Sequence, residues 1–232
     1  MSRMFDVVTK TWNPVKGCYH NCIYCYARIL AETRLKETEK YKDGFKPAFF
    51  PKELSRRFGP RDVVFVVDMG DLFGSWVPSD WIRAVIEATK KSEATFLYLT
   101  KNPRRYHEFL HLFPENSILG ATIESNWDHG ISNAPPPTER FRAMRELEWR
   151  KFISIEPVLD FDLDEMVGWM KEIRPEFVYI GYDNWRKVPR YLEPPLSRVR
   201  MLIERLREIT EVRVKTLRGR GIEPWLEEVV EA

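Results

Sequence analysis

The run Val63-Val64-Phe65-Val66-Val67 limits the folds open to this chain more than any other stretch. Five consecutive β-branched or aromatic residues bounded by turn residues predict a strand buried on both faces, as strands are inside a parallel sheet. The run ends in Asp68-Met69-Gly70-Asp71, and the segment 78–91 that follows sets Trp81, Ile82, Val85 and Ile86 on one helical face. That succession recurs down the chain. Strands are expected at 5–9, 95–100, 117–123, 151–155, 177–180 and 212–214, and helices at 26–40, 138–148, 163–174 and 197–210. Asn102-Pro103 adds a helix start with an N-cap and a first-turn proline, and a short helix is expected at 51–58 within an irregular connection. Strands alternating with helices predict parallel βαβ units with right-handed crossovers, in a barrel or an open α/β sheet. Six or so strands are too few to close an eight-stranded barrel. The 232 residues suit one compact unit, so 1–232 is read as a single domain.

All three cysteines lie in the stretch Gly17-Cys18-Tyr19-His20-Asn21-Cys22-Ile23-Tyr24-Cys25-Tyr26, in the pattern Cys-x3-Cys-x2-Cys. A disulfide would strand one thiol. A closed zinc site wants four ligands, so His20 would have to complete it from an awkward position between two cysteines. A 4Fe-4S cube normally takes four thiolates, and three would leave one iron without a protein ligand. Small buried thiols at i, i+4 and i+7 on one helix face are the plain alternative. Gly17 and the interleaved Tyr19, Asn21, Tyr24 and Tyr26 weigh against it.

The motif Cys18-x3-Cys22-x-Tyr24-Cys25, with an aromatic residue before the third cysteine, resembles the signature of the radical S-adenosylmethionine (SAM) superfamily. The longer run Trp12-Asn13-Pro14-Val15-x-Gly17-Cys18, continued by Cys25-Tyr26-Ala27, is similar to its phage-protein-like DUF5131 branch and, more distantly, to spore photoproduct lyase. The resemblance implies a partial (β/α)6 barrel of parallel strands, with a short seventh strand, and a 4Fe-4S cluster held by Cys18, Cys22 and Cys25. It further implies that SAM is chelated at the open iron and cleaved reductively to a 5'-deoxyadenosyl radical, with electrons from a ferredoxin- or flavodoxin-like donor and hydrogen taken from an unidentified substrate. A noncatalytic zinc- or Fe-S-binding module that contacts nucleic acid is the alternative.

Ligands of such sheets bind at the carboxyl ends of the strands. The residues there are Asp68, Gly70 and Asp71; Thr100 and Lys101; Glu124, Ser125 and Asn126; Glu156; Tyr182, Asp183 and Asn184; and Lys215 and Thr216. A cationic sulfonium with an ammonium group and a ribose needs carboxylate and hydroxyl acceptors, and its carboxylate needs a donor. By the resemblance, Asp68 or Asp71, with Gly70, serves the SAM ammonium group, although the family's glycines and acid are replaced here by Asp68-Met69-Gly70-Asp71. Thr100 and Lys101 then serve the carboxylate, Glu124 or Ser125 the ribose, and Tyr24 and the Tyr182 region the adenine. Glu156 is a candidate for substrate or SAM, and Tyr98 for a radical relay.

The loop 126–138, with Trp127, His129 and Pro135-Pro136-Pro137, is a candidate lid. Arg213, Lys215, Arg218 and Arg220, with Gly219 and Gly221, form a small basic cluster that reads as a solvated face, or as a phosphate site if Trp185 and Trp127 stand beside it. His107 and His111 are four apart without a carboxylate motif and read as surface or packed residues. Lys and Arg total 37 against 35 acids, a net charge of +2 that allows a nucleic acid partner without indicating one. Charged residues make up 31 % of the chain and glutamine is absent, a balance that resembles thermophile proteins. The opening Met1-Ser2-Arg3-Met4-Phe5 starts no signal segment and no apolar run is long enough to span a bilayer, so a cytoplasmic protein with reduced thiols and no membrane contact is expected. No cysteine remains for an auxiliary cluster or a thiol hydrogen donor.

Overall fold

The computed structural model describes residues 5–218. Strand β1 (Lys10–Trp12) leads to an antiparallel ribbon of β2 (Val15–Lys16) and β3 (Ala48–Phe49), with helix α1 (Tyr26–Glu32) between the two. Then follow β4 (Val63–Val66), α2 (Ser79–Thr89), β5 (Thr95–Thr100), α3 (Tyr106–Phe109), β6 (Ser117–Thr122), α4 (Pro137–Glu146), β7 (Lys151–Ile155), α5 (Leu163–Ile173), β8 (Phe177–Ile180), α6 (Leu196–Arg207) and β9 (Glu211–Val214). The main sheet has seven strands in the order β1-β4-β5-β6-β7-β8-β9, parallel throughout. Its strands lie in chain order with a helix between each neighbouring pair, which makes six βα units and a closing strand. Among the described residues β1 and β9 do not pair, so the barrel is open, as expected.

Alternation along the strands gives the sheet two apolar faces. Val64, Val66, Phe96, Tyr98, Ile153 and Ile180 face the helical layer and share one core with Ile82, Met144, Val167 and Leu202. The residues between them, Phe65, Leu97, Ile118, Phe152, Phe177 and Tyr179, fill the concave face. Phe5 and Val8 join that inner core. Phe5 stacks on Tyr179 at 4.1 Å between ring centroids and meets Phe152 edge-on at 6.0 Å, while Tyr179 donates a 2.7 Å hydrogen bond to Asp6. The N-terminal turn therefore plugs the base of the barrel, across the gap between its two edges.

That plug explains the first departure from expectation. The β-prone run 5–9 is not a strand, because Phe5 and Val8 are taken up by the inner core, and pairing begins only at Lys10 opposite Val64. The helix expected over 26–40 stops at Glu32. The Thr33 backbone N–H bonds Ile29 O at 3.0 Å, and the chain goes on in turns that carry Tyr41 and Phe45 onto Ala27, Ala31 and Met69. The segment 51–58 is a 3-10 turn over Pro51–Ser55. Asn102 caps no helix with its side chain, and its Nδ2 donates instead to Phe73 O at 2.9 Å. His107 binds Ala143 O at 3.1 Å. No helix among the described residues is long and apolar enough to cross a membrane.

Phe152 is fully buried and stacks on Phe177 at 5.0 Å. Phe152→Ala is expected to lower the unfolding free energy by about 4 kcal/mol, read from urea denaturation. A loss below about 1 kcal/mol would mean that the inner face is not packed as described.

Candidate functional site

The cysteine loop lies across the carboxyl end of β4 because two glycines let the backbones touch. Gly17 has φ +83°, and a Cβ there would lie 2.4 Å from the backbone of Lys46. A Cβ on Gly70 would lie 2.8 Å from Gly17 O, and the two residues form an isolated parallel bridge. Gly17 N donates to Met69 O at 2.9 Å. Any side chain at either position would push the loop off the sheet.

Asp71 is the second fastening. Its carboxylate is buried and accepts from Thr100 Oγ1 at 2.7 Å, from the backbone N–H of Lys101 at 2.9 Å and of Phe73 at 3.0 Å, and from His20 Nε2 at 3.0 Å. Burial alone would raise this carboxyl, and the hydrogen bonds and charge from His20, with those from Lys101 and Thr100, outweigh it and hold it below the ordinary carboxylate value. Asp71, Gly70 and Thr100 thus hold the loop in place. His20, its ring edge-on to Trp76, is committed to Asp71.

Asp68 is placed differently. Asn13 Nδ2 donates to it, Asn13 Oδ1 accepts from Met69 N at 3.0 Å, and the Tyr26 hydroxyl donates to Asp68 O at 2.5 Å. No cation bonds its half-buried carboxylate among the described residues, and burial raises its pKa. Of the two acids, Asp68 is the less enclosed, supported by Asn13 and its own backbone N–H. It follows Val67, a β-branched residue held at φ +62°, which turns the chain sharply at the strand end.

Opposite stands a charged quartet. Glu124, at the end of β6, accepts from Tyr24, from Lys101 Nζ and from Arg140 Nη1, the last at 2.6 Å, and Lys101 Nζ also donates to the Tyr24 hydroxyl at 2.6 Å. Arg140 also donates to Thr122 O at 2.7 Å and Pro135 O at 2.8 Å. Burial opposes the charge on Glu124, but Arg140 and Lys101 hold its carboxyl far below the usual range; burial and the Glu124 charge push the Tyr24 phenol well up. Two cations face one carboxylate and a neutral phenol, so the quartet carries one surplus positive charge. Next along the inner face, Glu156 pairs with Lys215 at 3.0 Å, and burial raises its carboxyl against that pairing.

The other expected residues lie elsewhere. Ser125 Oγ donates to Asp160 O at 2.6 Å and accepts from Trp127 N, so it shapes its own loop. Tyr182 is buried in the helix-side core with its hydroxyl on Pro194 O at 2.8 Å. Tyr98 is also on the helix-side face, 3.4 Å from Thr89 Oγ1 and packed on Phe73 and Phe113, with the sheet between it and the quartet. The 126–138 loop is tied to the cysteine loop through Ile23 N on Ile131 O at 3.1 Å and Asn133 N on His20 O at 2.5 Å. The basic cluster is engaged internally: Arg213 with Glu211 and over the Phe177 ring at 3.9 Å, Lys215 with Glu156, and Arg218 with Glu193. Gly219, Arg220 and Gly221 lie outside the described residues. Sequence reasoning missed Asn13, Tyr26 and Arg140. Asn13 and Tyr26 stood in the motif run around the cysteines without being singled out as site residues, and Arg140 gave a signal as an arginine at the spacing of the buried face of α4 with Pro137, Phe141 and Met144.

The three thiols do not form a ready-made cage: no group of three or more His, Cys, Asp or Glu among the described residues is set to hold a metal ion. Cys18 and Cys25 pack toward Ala27, Ala31 and Met69, and Cys22 toward Tyr24 and Leu159. Burial pushes all three pKa values up, and neutral thiols pack as small apolar groups. Features that favour thiolate are nonetheless built in. Cys18 Sγ accepts from His20 N and Cys25 Sγ from Arg28 N, each at 3.4 Å, and the Lys101 charge lowers the Cys22 and Cys25 values against that burial.

Solved structures that share this fold include a radical SAM methyltransferase. Spore photoproduct lyase with bound AdoMet and dinucleoside spore photoproduct matches with a TM-score of 0.52 at 10 % identity, over 87 % of this chain and 61 % of that one. Streptococcus suis SuiB bound to precursor peptide SuiA matches with a TM-score of 0.57 at 12 % identity, over 97 % and 52 %. A radical SAM methyltransferase from Sphaerobacter thermophilus matches with a TM-score of 0.51 at 14 % identity, over 88 % and 64 %. The chain therefore spans between half and two thirds of these proteins, and its fold is the radical SAM partial barrel. Residues 4–171 match the family described as protein of unknown function (DUF5131), and the chain belongs to that family. No curated protein matches it.

Glu124→Gln is expected to cost about 3 kcal/mol at neutral pH, because Arg140 stays buried without its carboxylate. The wild type gains stability from the depressed Glu124 value above the unfolded pKa of about 4.3 and loses it as pH falls toward the folded value. Denaturation measured across acidic pH should therefore show a shallower decline for the variant. Equal slopes would mean that Glu124 is not the group being protonated.

Proposed function

We propose that this chain is a radical SAM enzyme whose Cys18, Cys22 and Cys25 hold a 4Fe-4S cluster with one iron open to SAM. The observation that carries the reading is the fastening of the cysteine loop to the ends of β4 and β5 by Gly17, Gly70 and Asp71, with Asp68 on one side and a positively charged quartet on the other. Three thiols and no fourth ligand suit a cluster with an open iron better than closed zinc, since the His20 ring is engaged by Asp71. When bound, the cluster supplies the electron that cleaves the sulfonium of SAM and yields the 5'-deoxyadenosyl radical.

The residues divide the remaining work. Asp68 offers a carboxylate to the SAM ammonium group, held by Asn13 and by Tyr26 through its backbone carbonyl. The surplus charge at Lys101 and Arg140 attracts the SAM carboxylate, with Glu124 and Tyr24 fixing the lysine. Thr100 and Asp71 support the loop and leave SAM to their neighbours. Glu156 and Lys215, on the inner face of the same end, face the substrate. Electrons come from an external donor of the ferredoxin or flavodoxin type.

Anaerobic reconstitution should give iron and sulfide in cubane ratio, and 5'-deoxyadenosine on reduction with SAM; zinc uptake with no iron would overturn the assignment. Cys22→Ala is expected to abolish both. Asp68→Ala should weaken SAM binding at least about tenfold while the cluster is retained. Asp71→Ala should instead lower the melting temperature and the cluster yield together.

A further inference from the structure

We propose that the loop 184–192, which follows β8 at the mouth of the barrel, is a binding strip for single-stranded nucleic acid. Unpaired bases stack on Trp185 and Tyr191, and phosphates meet Arg186, Lys187 and Arg190. The inference rests on the mouth being the reaction site and deepens that reading by naming a substrate class.

The strip is built to stay in place. The buried Asp183 carboxylate accepts the backbone N–H groups of Trp185 at 2.9 Å, of Val188 at 3.0 Å and of Lys187. Val188 and Leu192 turn inward to the apolar cluster that contains Tyr24, Leu159 and Cys22, so the loop leans directly on the cysteine loop. Apart from the half-buried Pro189, its other side chains face solvent. Trp185 is 43 % exposed and Tyr191 82 %; among the described residues Tyr19 and Trp127 are the other exposed aromatic rings. Arg186, Lys187 and Arg190 are exposed, and none has a side-chain hydrogen bond or ion pair among the described residues.

The surrounding charges explain why these three cations stand out. Residues 184–192 contain no acid. Asp183 is turned to the backbone of the loop, and Glu193 is paired with Arg218. Arg213, Lys215 and Arg218 are likewise engaged by carboxylates or carbonyls, so the free positive charge at this end of β8 is concentrated in the strip. Free cations flanked on either side by an exposed planar ring match the sugar-phosphate chain and the π-faces of unpaired bases together. An acidic peptide would meet the cations and leave the rings without a partner; a duplex would keep its bases stacked on each other.

The test is fluorescence anisotropy of the full chain with short fluorescein-labelled single-stranded RNA and DNA of one sequence, at about 50 and about 200 mM salt. Binding should weaken with salt, and R186Q/K187Q/R190Q should lose at least about tenfold in affinity and about two from the slope of log affinity against log salt. W185A/Y191A should lose about tenfold or more with its salt slope unchanged. Thermal melts check folding, and if the triple variant does not fold, Lys187→Gln and Arg190→Gln singly should each lower the slope by about 0.7. The proposal is overturned if no oligonucleotide binds, if duplex binds more tightly, if polyglutamate of equal charge competes equally well, or if the variants bind as wild type does. Iron, sulfide and 5'-deoxyadenosine are measured on the same proteins. Oligonucleotide binding without cluster assembly would sink the cluster reading alone, and an intact cluster without binding would sink this one alone.

Discussion

The carboxylate of Asp71 is the constraint on which the functional end of this molecule depends. It is removed from water, and a buried charge persists only when donors surround it. Those donors come from three places in the chain: His20 in the cysteine loop, Phe73 in its own turn, and Thr100 with Lys101 at the end of β5. One ion therefore sets the height of the cysteine loop above the sheet. The paired glycines complete the arrangement, since Gly17 and Gly70 bring the two backbones closer than any side chain would permit.

Fixing Asp71 in this way separates two acids that look equivalent in sequence. Asp71 has its oxygens filled, whereas Asp68, three residues earlier, is supported by a neutral amide and its own backbone N–H, with no cation bonded to it among the described residues. A similar division holds across the mouth. Glu124 is enclosed by Lys101, Arg140 and Tyr24 and shapes their charge, while Lys101 is the member that bonds both Glu124 and the Tyr24 hydroxyl beside the cysteine loop. Neighbouring residues of the same type are thus held in different ways, and burial decides how.

Much of the fold was legible because its signals are local. Continuous apolar runs such as 63–66 and amphipathic faces such as that of α2 mark buried strands and covering helices, and β5 and β7 fall where the pattern puts them. Several of the strand-end residues singled out there, Asp71, Thr100, Lys101 and Glu124, do bond to the cysteine loop or to one another. What the pattern could not convey was direction at those ends. Tyr98 and Tyr182 occupy positions of the alternation that face the helices, while Lys101 and Glu124 occupy positions that face inward, and a one-residue difference in register separates them. Arg140 was hidden because its ion pair joins α4 to a strand end sixteen residues earlier in the chain. The first strand was misplaced because Phe5 and Val8 answer to the inner core and not to a neighbouring strand.

That last point bears on how the molecule is assembled. The strands of the main sheet lie in chain order, so each can add to the edge its predecessor leaves, using contacts that are close in sequence. The N-terminal turn cannot be placed this way. Asp6 is bonded to Tyr179, 173 residues further along, and Phe5 stacks on the same ring. That segment thus meets its full binding surface only once β8 is in place, and the base of the barrel stays unsealed until most of the sheet has been made.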